Sequence, residues 1–181
     1  MLSHSRRLCS PRALTLLGIE TSCDDTAVAI VRSDRRVVAS RRHAERGHQA
    51  RLGGICPATV AQQHRRELPR LIEECLDESR LRQGDLDGVA VSTRPGLVIA
   101  LKEGMYAALR VARDARVPLV PVHHMRAHAL VAGLVHDQLR FPFVALLISG
   151  GHSLLVLVHS PSSFDIIGDS EGGSAGECLD K

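Results

Sequence analysis

The sequence predicts an α/β layer fold built from a repeated unit, and three observations carry that prediction. Short apolar runs rich in β-formers alternate with helix-period segments in the order βββαβαβα across residues 15–140. The strand, tight turn, strand, loop, strand order then restarts near residue 141, as in a duplication. Apolar residues make up 44% of the 181, but with one Tyr, three Phe and no Trp the core is built of Leu, Val, Ile and Ala.

TLLGIE, TAVAIV and RVVAS, separated by TSCDD and SDR, read as a three-stranded meander over residues 15–42. After an Arg-rich stretch and Gly53-Gly54, Pro57 opens a helix whose apolar positions are Val60, Leu68, Leu71, Ile72, Cys75 and Leu76, with a kink expected at Pro69. LDGVAVS reads as a strand. Pro95-Gly96 then introduces a second helix through Leu97, Ala100, Leu101, Met105, Ala108 and Leu109. VPLVPV (117–122) is a strand, and a helix follows from His123 or His124. FPFVALLIS, HSLLVLV and FDIIG form the second meander, and GDSEGGSAGECLDK would open its covering helix. Residues 15–140 are thus a complete first lobe and 141–181 the start of a second. The new sheet is left without a helix to pack on its apolar faces, which implies that 181 residues are not the whole functional unit.

Charge placement adds a further division. The net charge is +3, and Arg6, Arg7 and Arg12 all precede the first acid, Glu20. Residues 1–14, rich in Arg and Ser, read as a mitochondrial transit peptide. The five cysteines are scattered without a C-x-x-C, so neither a disulfide framework nor a zinc knuckle is indicated. No apolar run is long enough to span a membrane. The scarcity of rings argues against base-stacking platforms.

Several clusters carry candidate chemistry. His124 and His128 lie four apart on a helix, so both imidazoles face one divalent cation, although such a pair also occurs packed or solvated. Met125, Arg126 and Ala127 between them leave no Glu to act as a metalloprotease base. Ser149-Gly150-Gly151-His152 suits a two-residue hairpin turn, and equally a loop whose bare N–H groups meet a phosphate. Asp24 and Asp25 occupy the matching turn of the first repeat, where Asp serves either the turn itself or acid–base work. Seven arginines against Asp34 and Glu45 give residues 32–51 a net charge of +5, with Arg65, Arg66 and Arg70 beyond. That run is a solvated face or a phosphate-binding one.

GIETSCDDTAVAIV, GGICPATVAQQHRREL, PGLVIALKEG, VPLVPVHHMRAHAL, LLISGGHSLLVLV and GECLDK occur in this order from residue 18 to residue 181. Together they resemble the N-terminal half of the tRNA N6-adenosine threonylcarbamoyltransferase family, formerly described as O-sialoglycoprotein endopeptidases, and most of all its mitochondrial branch. The resemblance implies an actin-like, sugar-kinase-like fold of duplicated lobes, the second truncated here. It implies transfer of a threonylcarbamoyl group from threonylcarbamoyl-AMP to N6 of the adenosine beside the anticodon of tRNA, in the mitochondrial matrix. His124 and His128 match the family's metal-binding H-x-x-x-H for one divalent ion, with iron, zinc and magnesium as candidates. Leu147, Ile148, Ser149, Gly150 and Gly151 match its substrate-contacting loop, and Asp180 a further adenylate contact. Asp24 and Asp25 are the candidates for the general base. A homodimer using the helix at 97–114 is the implied assembly.

The chain also departs from the family pattern. Asp25 stands where many bacterial members have Glu, Ala58 follows Pro57 where they carry Glu, and Gly172-Gly173 replace upstream aspartates. The family's third metal ligand belongs to its C-terminal half. Two rival readings remain: an ATP-binding kinase or ATPase of the same fold, and a truncated form without catalytic activity.

Overall fold

The computed structural model describes residues 12–149, 153–171 and 173–180. Most of the expected transit segment, and Gly150, Gly151 and Gly172, lie outside them.

Alternation of apolar and small residues builds the first sheet. β1 (Thr15–Glu20), β2 (Thr26–Arg32) and β3 (Val37–His43) pair antiparallel, whereas β4 (Gly88–Arg94) and β5 (Leu119–His123) run parallel to β1, giving the order β3-β2-β1-β4-β5. Every second residue of β1, namely Thr15, Leu17 and Ile19, points into the core. Two long helices cover that face. α2 (Pro57–Ser79) starts with Pro57, whose fixed φ and missing N–H suit a helix's first turn, and continues through Pro69 as one helix. α3 (Val98–Ala115) lies beside it. Leu68, Leu71, Ile72 and Cys75 from α2 and Ala108, Val111 and Ala112 from α3 meet Leu17, Val28, Ile30 and Val89 of the sheet. The opposite face is lined by small residues, Gly18, Ala27, Ala29, Ser40 and Ala90, which form with Ala127 and Val131 an open groove of about 350 Å³.

The Arg-rich stretch, to which the sequence assigns no element, contains the short helix α1 (Arg46–Arg51), with no buried residue to give it an apolar period. β5 leads directly into α4 (His124–Leu130) and α5 (Ala132–Val135). The second sheet repeats the first meander: β6 (Phe143–Ile148), β7 (Ser153–Ser160) and β8 (Ser163–Asp169), antiparallel throughout, followed by α6 (Ala175–Asp180). One expectation is corrected here. The sheet is not bare on both faces, because Ala129 and Leu130 of α4 pack on Phe143, Ala145, Leu147, Val156 and Val158. Its other face stays open, with Val144, Leu146 and Ile148 exposed.

Candidate functional site

Three parallel strands, β1, β4 and β5, finish at one edge of the first sheet, where ligands of open α/β sheets collect. β1 delivers Glu20 there and β5 delivers His124. Glu20 Oε1 accepts the Ser22 backbone N–H at 2.5 Å, and Oε2 lies 3.0 Å from His124 Nδ1. Ser22 Oγ stands 3.1 Å from the same nitrogen. Burial alone would raise the Glu20 carboxyl, but hydrogen bonds from His124 and Ser22 outweigh it and hold the group down at about 2. A carboxylate only accepts, so His124 carries its proton on Nδ1 and keeps a lone pair on Nε2.

That lone pair points at His128. The two Nε2 atoms are 3.0 Å apart and the rings meet edge to face with centroids 4.4 Å apart. Burial lowers the His128 pKa, as would a second proton on His124, with Glu20 opposing, which favours the neutral form. These two imidazoles are the side chains here that could hold a divalent cation. A carboxylate fixing the tautomer of a ligating His is the usual outer support of such a site. Among the described residues no group of three or more His, Cys, Asp and Glu side chains assembles, so these two imidazoles are a partial ligand set.

The acidic turn follows Ser22 along the same loop. Asp25 Oδ2 takes Arg42 Nη1 at 3.3 Å, while Oδ1 is buried without a hydrogen-bond partner. The Asp24 carbonyl accepts Gln63 Nε2 at 2.8 Å, and buried His64 bonds the Cys23 carbonyl and the Thr26 hydroxyl at 2.9 and 2.7 Å. From the other side Leu97 N–H donates to the Ser22 carbonyl at 2.8 Å. Gly96, at φ +156°, allows that approach, since a Cβ there would sit 2.4 Å from the Ser22 oxygen.

The candidate substrate loop comes from the second sheet. Leu147 lies on the face packed by α4, Ile148 faces outward, and Ser149 closes the strand with its carbonyl accepting Gly176 N–H of α6 at 3.3 Å. α6 carries Asp180 in its last turn, so the loop and the GECLD segment meet. Gly150 and Gly151 are not described. Leu147 also joins His123, Met125, Arg126, Leu154 and Phe164 around a cavity of about 290 Å³, with the Arg126 guanidinium 5.0 Å above the Phe164 ring. The His123 Nδ1 atom is buried there without a partner, and burial, then the charges of Arg126 and Arg94, lowers its pKa. The start of the histidine helix and the strands β6 and β7 are thereby neighbours.

Among the described residues, three of the seven arginines of the run are ion-paired, Arg32 with Asp34 and Arg41 and Arg42 as follows, and Arg66 beyond it is paired too. Arg41 meets Glu74 and Glu78, Arg42 meets Asp25, and Arg66 meets Glu45 and Glu67. Arg35, whose guanidinium donates to the Gly133 carbonyl, and Arg36, Arg46 and Arg51 have no ion pair among the described residues.

Sequence reading passed over Glu20, Ser22, Gln63 and His64. Two signals were present: a Glu ending an alternating apolar strand, and a His four residues from both Val60 and Leu68 on the apolar stripe of α2.

Comparison with known proteins fits this architecture. A family model described as tRNA N6-adenosine threonylcarbamoyltransferase matches residues 36–181. A curated relative from Caenorhabditis elegans, named probable tRNA N6-adenosine threonylcarbamoyltransferase, mitochondrial, is 54% identical over 97% of this chain and 42% of its own length. A relative of the same name from Arabidopsis thaliana is 44% identical over 93% of this chain and 35% of its own. The chain therefore spans about two-fifths of the length of the curated relatives it matches. Among solved structures, YeaZ from Pseudomonas aeruginosa superposes with a TM-score of 0.58 at 16% identity, over 87% of this chain and 66% of that one. At that identity the likeness shows the fold, and it bears out the duplicated actin-like α/β architecture. With four-fifths of its length inside the family match, the chain belongs to the tRNA N6-adenosine threonylcarbamoyltransferase family.

Proposed function

We propose that this chain forms one wall of the active site of a mitochondrial matrix enzyme. The enzyme transfers the L-threonylcarbamoyl group from threonylcarbamoyl-AMP to N6 of the adenosine adjacent to the anticodon, position 37, of tRNA. The observation that carries the reading is the Glu20-oriented His124 with its free Nε2 turned to His128 at the carboxyl edge of the sheet. The relatives' names support the group transferred, the tRNA adenosine N6 acceptor and a mitochondrial location, and the donor, the position in the anticodon loop and the matrix belong to the proposal. Residues 1–14 would be the import segment, 15–140 the first lobe and 141–181 the opening of the second.

In the reaction the N6 amine attacks the carbamoyl carbonyl, the N–C bond forms, the bond from that carbon to the phosphate oxygen breaks, and AMP leaves. The amine loses a proton, which needs a base within hydrogen-bond reach. Asp24 and Asp25 are the candidates, Asp25 with one unpartnered oxygen. His124 and His128 would hold a divalent cation, which would supply charge to neutralise the phosphate of the leaving group. Imidazole donors suit iron or zinc better than magnesium. Leu147 to Gly151 would seat the adenylate, with Asp180 beside them. Arg36, Arg46 and Arg51 are the arginines of the basic run left free for tRNA phosphates. Val98, Tyr106 and Leu109, exposed on α3, give a homodimer an apolar contact.

Asp24→Asn and Asp25→Asn variants of the protein expressed from its own gene test the base directly. At least one should lose transfer while still binding tRNA; normal turnover by both removes the turn from the chemistry. Hydrolysis of ATP without tRNA, in place of transfer, would favour a kinase or ATPase of this fold.

A further inference from the structure

We propose that His64 and Gln63 of α2 are positioning residues that lock the Asp24–Asp25 turn into its reactive geometry. The inference rests on the reading above that this turn supplies the base. His64 is fully buried, at 0% exposure, between Val60 and Leu68, one turn before and after it on the apolar stripe of α2. An apolar side chain would fill that space without the desolvation a polar ring incurs, so packing does not account for His64.

The network around it has one consistent set of proton positions. The Cys23 carbonyl only accepts, so His64 Nε2 donates to it at 2.9 Å. Burial lowers the His64 pKa and keeps the ring neutral, so Nδ1 is a lone pair and receives the Thr26 hydroxyl proton at 2.7 Å. Having given its proton, Thr26 Oγ1 accepts from Gln63 Nε2 at 3.1 Å, and the same amide nitrogen donates to the Asp24 carbonyl at 2.8 Å. Gln63 Oε1 in turn accepts the Glu45 N–H at 3.2 Å, which fixes the orientation of the amide. Two adjacent residues of one helix therefore hold the Cys23 and Asp24 carbonyls and the Thr26 side chain that follows the two aspartates. On the far side of the loop, Gly96 and Gly104 lie against Ser22 and Thr21, so the loop has no room to move toward α3. Fully satisfied buried networks of this kind select one geometry.

The test uses transfer kinetics on the protein expressed from its own gene. Thr26→Val, close to isosteric, removes the hydroxyl between His64 and Gln63. It should lower kcat about 10- to 100-fold, the scale of a misplaced catalytic group, with the KM for tRNA unchanged. His64→Phe should do the same, the double variant should be no worse than about twofold below the poorer single one, and His64→Gln, which restores a donor to the Cys23 carbonyl, should recover part of the loss. Because His64→Phe can fail to fold, Thr26→Val with an unchanged melting temperature carries the decision. Wild-type kcat in Thr26→Val, or losses that multiply in the double variant, overturns the positioning role provided that Asp24→Asn or Asp25→Asn is inactive. If both aspartate variants are fully active, the reading beneath it fails instead.

Discussion

Glu20 shows how a single residue sets the chemistry of its neighbours. Its carboxylate makes His124 a donor at Nδ1 and so leaves a lone pair at Nε2, where the proposed cation would be held. Glu20→Gln should weaken divalent-ion binding about 10- to 100-fold in a metal titration, as loss of such outer support does; unchanged affinity would show that His124 orients itself. Gly104 makes a second case. A Cβ there would lie 2.2 Å from Thr21 Oγ1, so Gly104→Ala should destabilise by about 1–3 kcal/mol in urea unfolding. At an unconstrained helix position the same change would stabilise. The His124–His128 pair was legible because four-residue spacing on a helix is a local signal. Glu20 and His64 were not, since their partners lie 104 and 38 residues away and only the strand order brings them together. The role expected of the Gly150-Gly151 turn lies outside the described residues.

At the scale of elements, α2 acts as the structural hub. It packs on the sheet, holds the acidic turn through Gln63 and His64, and is tied to α3 by Arg65, whose Nη2 meets Glu103 Oε1 at 2.6 Å. Hydrogen bonding to Arg65 lowers the Glu103 pKa despite burial. A depressed carboxyl adds stability that is fully present above the ordinary carboxylate value and is lost as pH falls below it, through the lowered folded value. Urea unfolding at pH 7 and pH 4 should show a smaller drop for Glu103→Gln than for wild type; equal drops would mean that the pair contributes nothing. The Arg run illustrates where a sequence window misleads. Its +5 was counted over residues 32–51, but Glu67, Glu74 and Glu78 project from α2 onto the same surface. Arg51→Ala should therefore reduce the salt slope of tRNA binding by about 0.7–0.9, whereas Arg70→Ala, removing an internally paired charge, should leave it nearly unchanged.

At the scale of the molecule, the repeat was legible because strand, turn and strand recur in order, and both meanders form as read. The packing of α4 on the second sheet was not. By position in sequence α4 belongs to the first unit, and only its apolar residues Ala129 and Leu130, turned toward β6 and β7, reveal the bridge. The opposite face of that sheet presents Val144, Leu146 and Ile148, the last two more than 60% exposed. Leu146→Lys should lower binding of a hydrophobic dye with little change in melting temperature, because the side chain makes few contacts to lose. The central claim, that the edge shared by Glu20, His124 and His128 serves threonylcarbamoyl transfer, is tested most directly by one assay. The protein expressed from its own gene is incubated with threonylcarbamoyl-AMP and a tRNA transcript, and the digested nucleosides are read by mass spectrometry. The account predicts threonylcarbamoyladenosine with the wild type and its loss in His124→Ala/His128→Ala. Equal yields from the two proteins would contradict it.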